Sequence, residues 1–226
     1  MKNIAIIPAR SGSKGLKDKN IKLLNGFPLI SYSIKAAQES GLFDEIMVST
    51  DSEKYASVAK QYGASIPFLR SNEQSGDNAS SWEVVKEVLN NYDKIGKRFD
   101  TVCLLQPTSP LRKAQNIVDG YNIYNEKNVD AITSVCEMDH SPLWAMTLTE
   151  DHSLIEFRKK LLETPRQNLK QYYRINGALY IRKIEYSDNK INIIDEKEFA
   201  YIMDRKLSVD IDVQEDFEYA EFLMNK

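Results

Sequence analysis

The sequence predicts an α/β protein whose mostly parallel sheet carries helices on both faces. Between Ile4 and Cys136, apolar β-rich runs of strand length alternate with segments of helical period. A chain of 226 residues is long enough to close one substantial core, and it shows no low-complexity linker or internal repeat. From His140 the alternation stops, which places an excursion late in a single domain.

Ile4 to Pro8 reads as a buried strand. Pro28 suits the first turn of a helix in which Ile30, Ile34 and Ala37 share a face, and Gly41 stops it. Glu45 to Thr50 is the next strand; Asp51 then caps a helix burying Tyr55, Val58, Ala59 and Tyr62, which Gly63 ends. Ile66 to Leu69 reads as a short strand, and Ser80 or Ser81 caps a helix carrying Val84, Val85, Val88 and Leu89. A strand at Thr101 to Leu105, a helix at Ala114 to Tyr124 and a strand at Ala131 to Cys136 follow. SPLWAMTL and QYYRINGALYIR hold β-like runs without intervening apolar helices, so 140–182 is expected to leave the main sheet as an insertion. Tyr201 to Met203 and Leu207 to Asp212 return as strands, and Val213, Phe217, Ala220 and Met224 stripe a closing helix.

Lys and Arg total 30 against 33 Asp and Glu, a net charge of −3, so no global field favours nucleic acid or an acidic membrane. No apolar stretch approaches the ~20 residues of a membrane span, and the start moves directly into a strand, which makes a cytoplasmic protein the expectation. Cys103 and Cys136 lie in apolar runs and read as core residues, not as a zinc site or disulfide. His140 and His152 have no ligand spacing, and no GxSxG motif occurs, so covalent catalysis is not expected.

Ligands of an open parallel sheet bind outside the carboxyl ends of its strands. The loop PARSGSKGLKDKN places Arg10, Lys14, Lys17 and Lys19 beside Gly12 and Gly15, which suits phosphate but equally a solvated basic turn; it is neither a P-loop nor a dinucleotide fingerprint. In QPTSPLR two prolines pin Gln106, Thr108, Ser109 and Arg112, and Arg70 to Ser81 forms a polar loop of no decisive character. In SVDIDVQED, Asp210 and Asp212 are one residue apart in an extended run, so both point to one side, an arrangement suited to a hard divalent cation such as Mg2+. A helix cap would account for Asp212 but not for Asp210.

IIPARSGSKGLKDKN, STD at Ser49 to Asp51, DNASS at Asp77 to Ser81, LLQPTSPLR, PRQ with RINGALY, and SVDID resemble, in order, the CMP-sialic acid synthetase (acylneuraminate cytidylyltransferase) family. The resemblance covers nearly the whole chain. It implies a Rossmann-like nucleotidyltransferase fold in one domain over 1–226, with a dimerisation insertion at 140–182. Carried over, Arg10, Lys14 and Lys19 hold the triphosphate; Asn20, Arg70 and Ser81 contact the cytidine; Gln106, Arg166 and Gln167 face the sugar acid; Asp210 and Asp212 bind Mg2+. It also implies a homodimer whose insertion reaches over the neighbour's site. One departure is HSPLW, where many sialate enzymes carry a lysine at the position of Trp144; the indole either receives an apolar or acylated part of the sugar or packs in the dimer contact.

The implied reaction is attack of the anomeric hydroxyl of a nonulosonic acid on the α-phosphorus of CTP, with pyrophosphate leaving. Arg10 and Lys19 would neutralise charge, and either Asp212 or a second metal would assist loss of the hydroxyl proton. KDO, legionaminic or pseudaminic acid are alternative acceptors, and a catalytically silent nucleotide-binding module is the reading from another class.

Overall fold

The computed structural model describes residues 1–12, 15–76, 79–155, 170–187 and 190–226. The main sheet has seven strands: β1 Asn3–Pro8, β4 Glu45–Ser49, β5 Thr101–Leu104, β6 Ala131–Glu137, β7 Tyr173–Ser187, β8 Lys190–Ile194 and β9 Glu198–Ile202. Their order is β4-β1-β5-β7-β6-β9, with β8 on β7; β2 Leu23–Leu24 and β3 Phe27–Pro28 form a small hairpin apart. β4, β1, β5, β6 and β9 run in one direction, and β7 opposes its neighbours β5 and β6. The sheet is therefore mostly parallel, as expected.

Period-two alternation sorts the core. Ala5, Ile7, Val48, Cys103 and Ile132 face one side, against α1 Leu29–Ser40, α2 Glu53–Gln61 and α4 Ala114–Lys127. Ile4, Ile6, Met47, Val102 and Leu104 face the other, against Val85, Val88, Leu89 and Tyr92 of α3 Ser81–Lys94. The last helix, α5 Gln214–Met224, buries Phe217 and Ala220 with Leu24, Leu29 and Ile211. Local signals act as the sequence suggests at several ends: Gly41 closes α1 with φ 66°, and Ser80 and Glu83 form a reciprocal capping box on α3.

Five expectations need correction. Residues 173–182, assigned to the insertion, are the heart of β7, the strand that joins the two halves of the sheet. Buried Arg182 explains why a basic run can lie inside: it donates to the carbonyls of Ile132 and Ile181, to Thr133 Oγ1 and to Glu198 Oε1. Ile66 to Leu69 is not a strand; Ser65 makes a single bridge to Met47 and the chain then turns away. Leu207 to Asp212 has no sheet partner either, opening instead on a short 3-10 turn at Arg205–Leu207. Asp51 is not the cap of α2, a place taken by Ser52, because its carboxylate is engaged elsewhere. The strand expected at Tyr201 to Met203 lies slightly earlier, at Glu198–Ile202.

Candidate active site

The carboxyl ends of β1 and β5 open onto a cavity of about 560 Å3. Arg10, Lys19, Asn20, Arg70, Ser81, Gln106, Asp210 and Asp212 all line it, so chain segments from Arg10 to Asp212 converge on one hollow. Of the remaining expected residues, Lys14, Arg166 and Gln167 lie outside the described residues.

The first loop is tied down from both ends. Asp51 accepts from the Ser11 amide and the Ser11 hydroxyl, each at 2.8 Å, and Asn20 Nδ2 donates to the Arg10 carbonyl at 3.1 Å. Burial would raise the Asp51 carboxyl, but these bonds and nearby Arg70 hold it below the usual carboxylate range. At the far end Tyr55 donates to Asp18, which sits in the left-handed region at φ 53°. Gly15 lies so close to the last segment that a Cβ there would sit 2.6 Å from the Asp212 carbonyl oxygen.

Two cations are set deep. Arg70 donates to the Ser49 hydroxyl at 3.1 Å and the Ser49 carbonyl at 2.6 Å, and burial pulls it down to about 10, still protonated near neutrality. Lys19 Nζ donates to the Ile211 carbonyl at 2.7 Å and meets Asp212 Oδ1 at 3.1 Å. That lysine thus bridges the basic loop to the acidic segment.

The floor comes from QPTSPLR and from a bulge in β7. Arg112, only 3 % exposed, donates to the carbonyls of Gln106 and Ala178 and to the Ser33 hydroxyl; it locks the loop to β7 and α1. The pairing of β6 with β7 slips between Thr133 and Val135, opposite Gly177, whose φ is 76°. A Cβ on Gly177 would lie 2.6 Å from Gln106 Oε1 and 3.7 Å from Asp210 Oδ2, so the glycine leaves room for Gln106 Oε1 to lie against the backbone there, with Asp210 Oδ2 close by. Burial raises the Asp210 carboxyl, a hydrogen bond from Thr108 opposes this, and Asp212 adds repulsion.

This donor set fits a divalent cation. A half-sequestered carboxylate whose charge is disfavoured, a second carboxylate two positions on and an amide oxygen beside it are hard oxygen ligands, with room for substrate phosphates. No cluster of three or more His, Cys, Asp or Glu occurs among the described residues, so a cation here would take its remaining ligands from the substrate and water. Sequence reasoning gave no role to Gly177, which adjoins Gln106 and Asp210. The glycine inside a β-rich run was the signal for a bulge.

The cytidylyltransferase family profile matches residues 4–226. The chain belongs to the cytidylyltransferase family. This cytidylyltransferase is 39 % identical over 219 residues to an N-acylneuraminate cytidylyltransferase of Streptococcus agalactiae, covering 96 % of this chain and 52 % of that one. It spans about half the length of such relatives, whereas it matches others nearly end to end. A CMP-N,N'-diacetyllegionaminic acid synthase of Legionella pneumophila is 36 % identical over 237 residues, covering 99 % and 97 %. A pseudaminic acid cytidylyltransferase of Campylobacter jejuni is 34 % identical over 223 residues, covering 99 % and 96 %. Among solved structures, a CMP:2-keto-3-deoxy-manno-octonic acid synthetase complexed with CTP matches with a TM-score of 0.71 at 15 % identity, over 100 % of this chain and 99 % of that one, which shows the shared fold. No helix among the described residues is long and apolar enough to cross a membrane.

Proposed function

We propose that this cytidylyltransferase transfers CMP from CTP to the anomeric hydroxyl of a nonulosonic acid and releases pyrophosphate, with Mg2+ held by Asp210 and Asp212. The observation that carries the reading is the cavity where Arg10, Lys19 and Arg70 meet Asp210 and Asp212 at the carboxyl edge of the sheet. The relatives support the acceptor class, since the three named above act on neuraminate, legionaminate and pseudaminate substrates. The family's KDO-type likeness is one of fold alone.

In this reading Arg10 and Lys19 receive the triphosphate, Lys19 turning from Asp212 toward phosphate oxygens. Arg70 and Ser81 contact the cytidine, while Asn20 holds the Arg10 backbone in place. Asp210 and Asp212 would hold Mg2+, which would supply charge neutralisation for the departing pyrophosphate. Gln106 orients the acceptor, and Asp212, freed of Lys19, takes the hydroxyl proton. Positioning and charge neutralisation supply most of the rate enhancement. The sugar carboxylate falls to Arg166 with help from Gln106, and Gln167 contacts the sugar acid.

A homodimer belongs to the same reading. Leu143, Trp144, Met146 and Leu148 after β6, with Tyr173 and Ile175 at the start of β7, present exposed apolar surface, Leu148 62 % exposed and Ile175 61 % exposed. Trp144 lines a small hollow with His140, Lys170 and Tyr172, where the indole either receives an acylated part of the sugar or packs in the dimer contact. The proposed setting is cytoplasmic, where CTP is available.

Pyrophosphate release tests the reading, using CTP, UTP, ATP and GTP in turn with neuraminic, legionaminic, pseudaminic and eight-carbon acids, with and without Mg2+. Release only with CTP, Mg2+ and a nine-carbon acid is expected. Equal turnover with UTP, or none with any acid, would overturn it.

A further inference from the structure

Next to Asp210 lies a buried polar network that the reaction itself does not use. Ser134 Oγ donates to Asn176 Oδ1 at 2.6 Å, and the Ala178 amide donates to the same oxygen at 3.2 Å. Asn176 Nδ2 donates to Ser208 Oγ at 2.9 Å, and Ser208 Oγ donates to the Asp204 carbonyl at 2.9 Å. The Leu179 amide donates to Ser134 Oγ at 2.8 Å, and Arg174 Nη2 reaches the Ser208 carbonyl at 3.2 Å. Ser134 is fully buried; Asn176 and Ser208 are each 1 % exposed. Each hydroxyl has one proton to give. With those protons committed to Asn176 and Asp204, Ser208 Oγ must accept from the amide, which fixes the Asn176 side chain in one orientation.

Such a network costs stability wherever it is only partly satisfied, and an apolar core would hold the strands together as well. What it joins explains its presence. Ser134 stands on β6, Asn176 in the bulge of β7, and Ser208 at the head of the segment that carries Asp210 and Asp212. That segment belongs to no strand, and the Ile211 amide bond to the Thr108 carbonyl at 2.8 Å is its one backbone bond to the QPTSPLR loop. Ser208 and what holds it therefore fix the start of the segment, while Lys19 at the Ile211 carbonyl, Asp216 at the Asp212 amide and the burial of Ile211 hold its far end.

We propose that Asn176, with Ser134 and Ser208, is a positioning residue for the cation site: it holds the start of the Ser208 to Asp212 segment against the bulge so that Asp210 Oδ2 lies over Gly177. The inference rests on the reading that Asp210 binds a divalent cation. Partners of this kind, one step removed from the ligands, typically change metal affinity by about 10- to 100-fold.

Mn2+ binding to the full chain, measured by electron paramagnetic resonance with no nucleotide present, tests it. Ser208→Ala removes the oxygen acceptor of the Asn176 amide together with the bond to the Asp204 carbonyl, leaving that amide only the Met203 sulfur, and Asn176→Leu removes the whole bridge at similar volume; both should weaken Mn2+ binding about tenfold or more. Asn116→Ala is the control for mere destabilisation. Asn116 is 8 % exposed and donates to Tyr201 at 3.1 Å, away from the cavity, so its loss should lower the melting temperature and leave Mn2+ binding unchanged. Asp210→Asn separates the two claims. If it abolishes Mn2+ binding while Ser208→Ala and Asn176→Leu bind as the wild type does, the positioning role is overturned and the cation reading stands. If Asp210→Asn itself binds Mn2+ normally, the cation reading fails and takes the inference with it. Should Asn176→Leu fail to fold, Ser208→Ala decides alone.

Discussion

Replacing Gly177 with alanine separates the cost of a strained backbone from the cost of a disturbed site. An alanine at φ 76° pays about 1–2 kcal/mol for its left-handed conformation. Its methyl would also stand 2.6 Å from Gln106 Oε1, inside the 3.0 Å that real Cβ atoms respect. The obstructing atom ends a flexible side chain, so Gln106 swings aside and the fold survives. A domain of this size loses roughly 2–4 °C per kcal/mol, giving a fall in Tm of about 2–8 °C. Catalysis should suffer more, because a displacement approaching 1 Å in a positioning group can cost about a hundredfold, or about 2.7 kcal/mol. Pyrophosphate release should show that loss in kcat/KM for the sugar acid, with KM for CTP nearly unchanged. Gly26 supplies the control: it has φ 86° and nothing within 4 Å of its missing Cβ, so Gly26→Ala should lose stability alone. A Gly177→Ala enzyme with wild-type kcat/KM for the acid would refute the claim that Gln106 must rest on this bulge.

Arg112→Met should cost about 1–3 kcal/mol in urea unfolding, since the carbonyls of Gln106 and Ala178 lose a donor in a buried place; an unchanged midpoint would mean that water or apolar packing replaces the guanidinium. Asp210→Asn in metal-free protein should do the opposite. Burial raises the Asp210 carboxyl above its ordinary 3.8, so the folded chain holds that proton more tightly than the unfolded one and the charge destabilises at neutral pH. The asparagine variant should melt higher at pH 7, and its advantage should shrink as pH falls through the raised pKa toward 3.8, while Mg2+-dependent turnover is lost; calorimetry across pH checks the sign.

The first half of the fold was legible because each strand is apolar and each helix keeps its stripe and caps, as with Ser80 and Glu83 on α3. β7 was not. Its Arg174, Asn176, Gly177 and Arg182 look like surface chemistry, and only the partners of Arg182, drawn from β6 and β9, reveal why such residues can lie within a sheet. The site followed from a general rule about loops at the carboxyl edge, which is why residues as distant in sequence as Arg10 and Asp212 could be grouped. The acidic pair was found from its spacing, although the extended segment around it has no strand partner. Side chains that act through others, such as Asn176 and Ser208, carry no spacing rule. Asp51 was misread for a related reason: a carboxylate just after a strand can cap a helix or clasp a loop, and only the Ser11 contact decides.

The reversed strand also sets an order on assembly. β5 and β6 do not touch each other; both pair with β7, Thr101 opposite Lys183 and Ala131 opposite Arg182. Until the ribosome has released residues beyond Lys183, the nascent chain therefore holds one partial sheet of β4, β1 and β5 with an open β5 edge of unpaired amides and carbonyls, and a lone β6 whose partners β7 and β9 both come later. Joining them demands contacts between distant parts of the chain, a slow step that leaves them available to other chains meanwhile. Temperature and expression rate should thus govern the yield of this protein through the arrival of one strand, and a chain cut short before it would present an adhesive β5 edge and an unpaired β6 in place of a finished sheet.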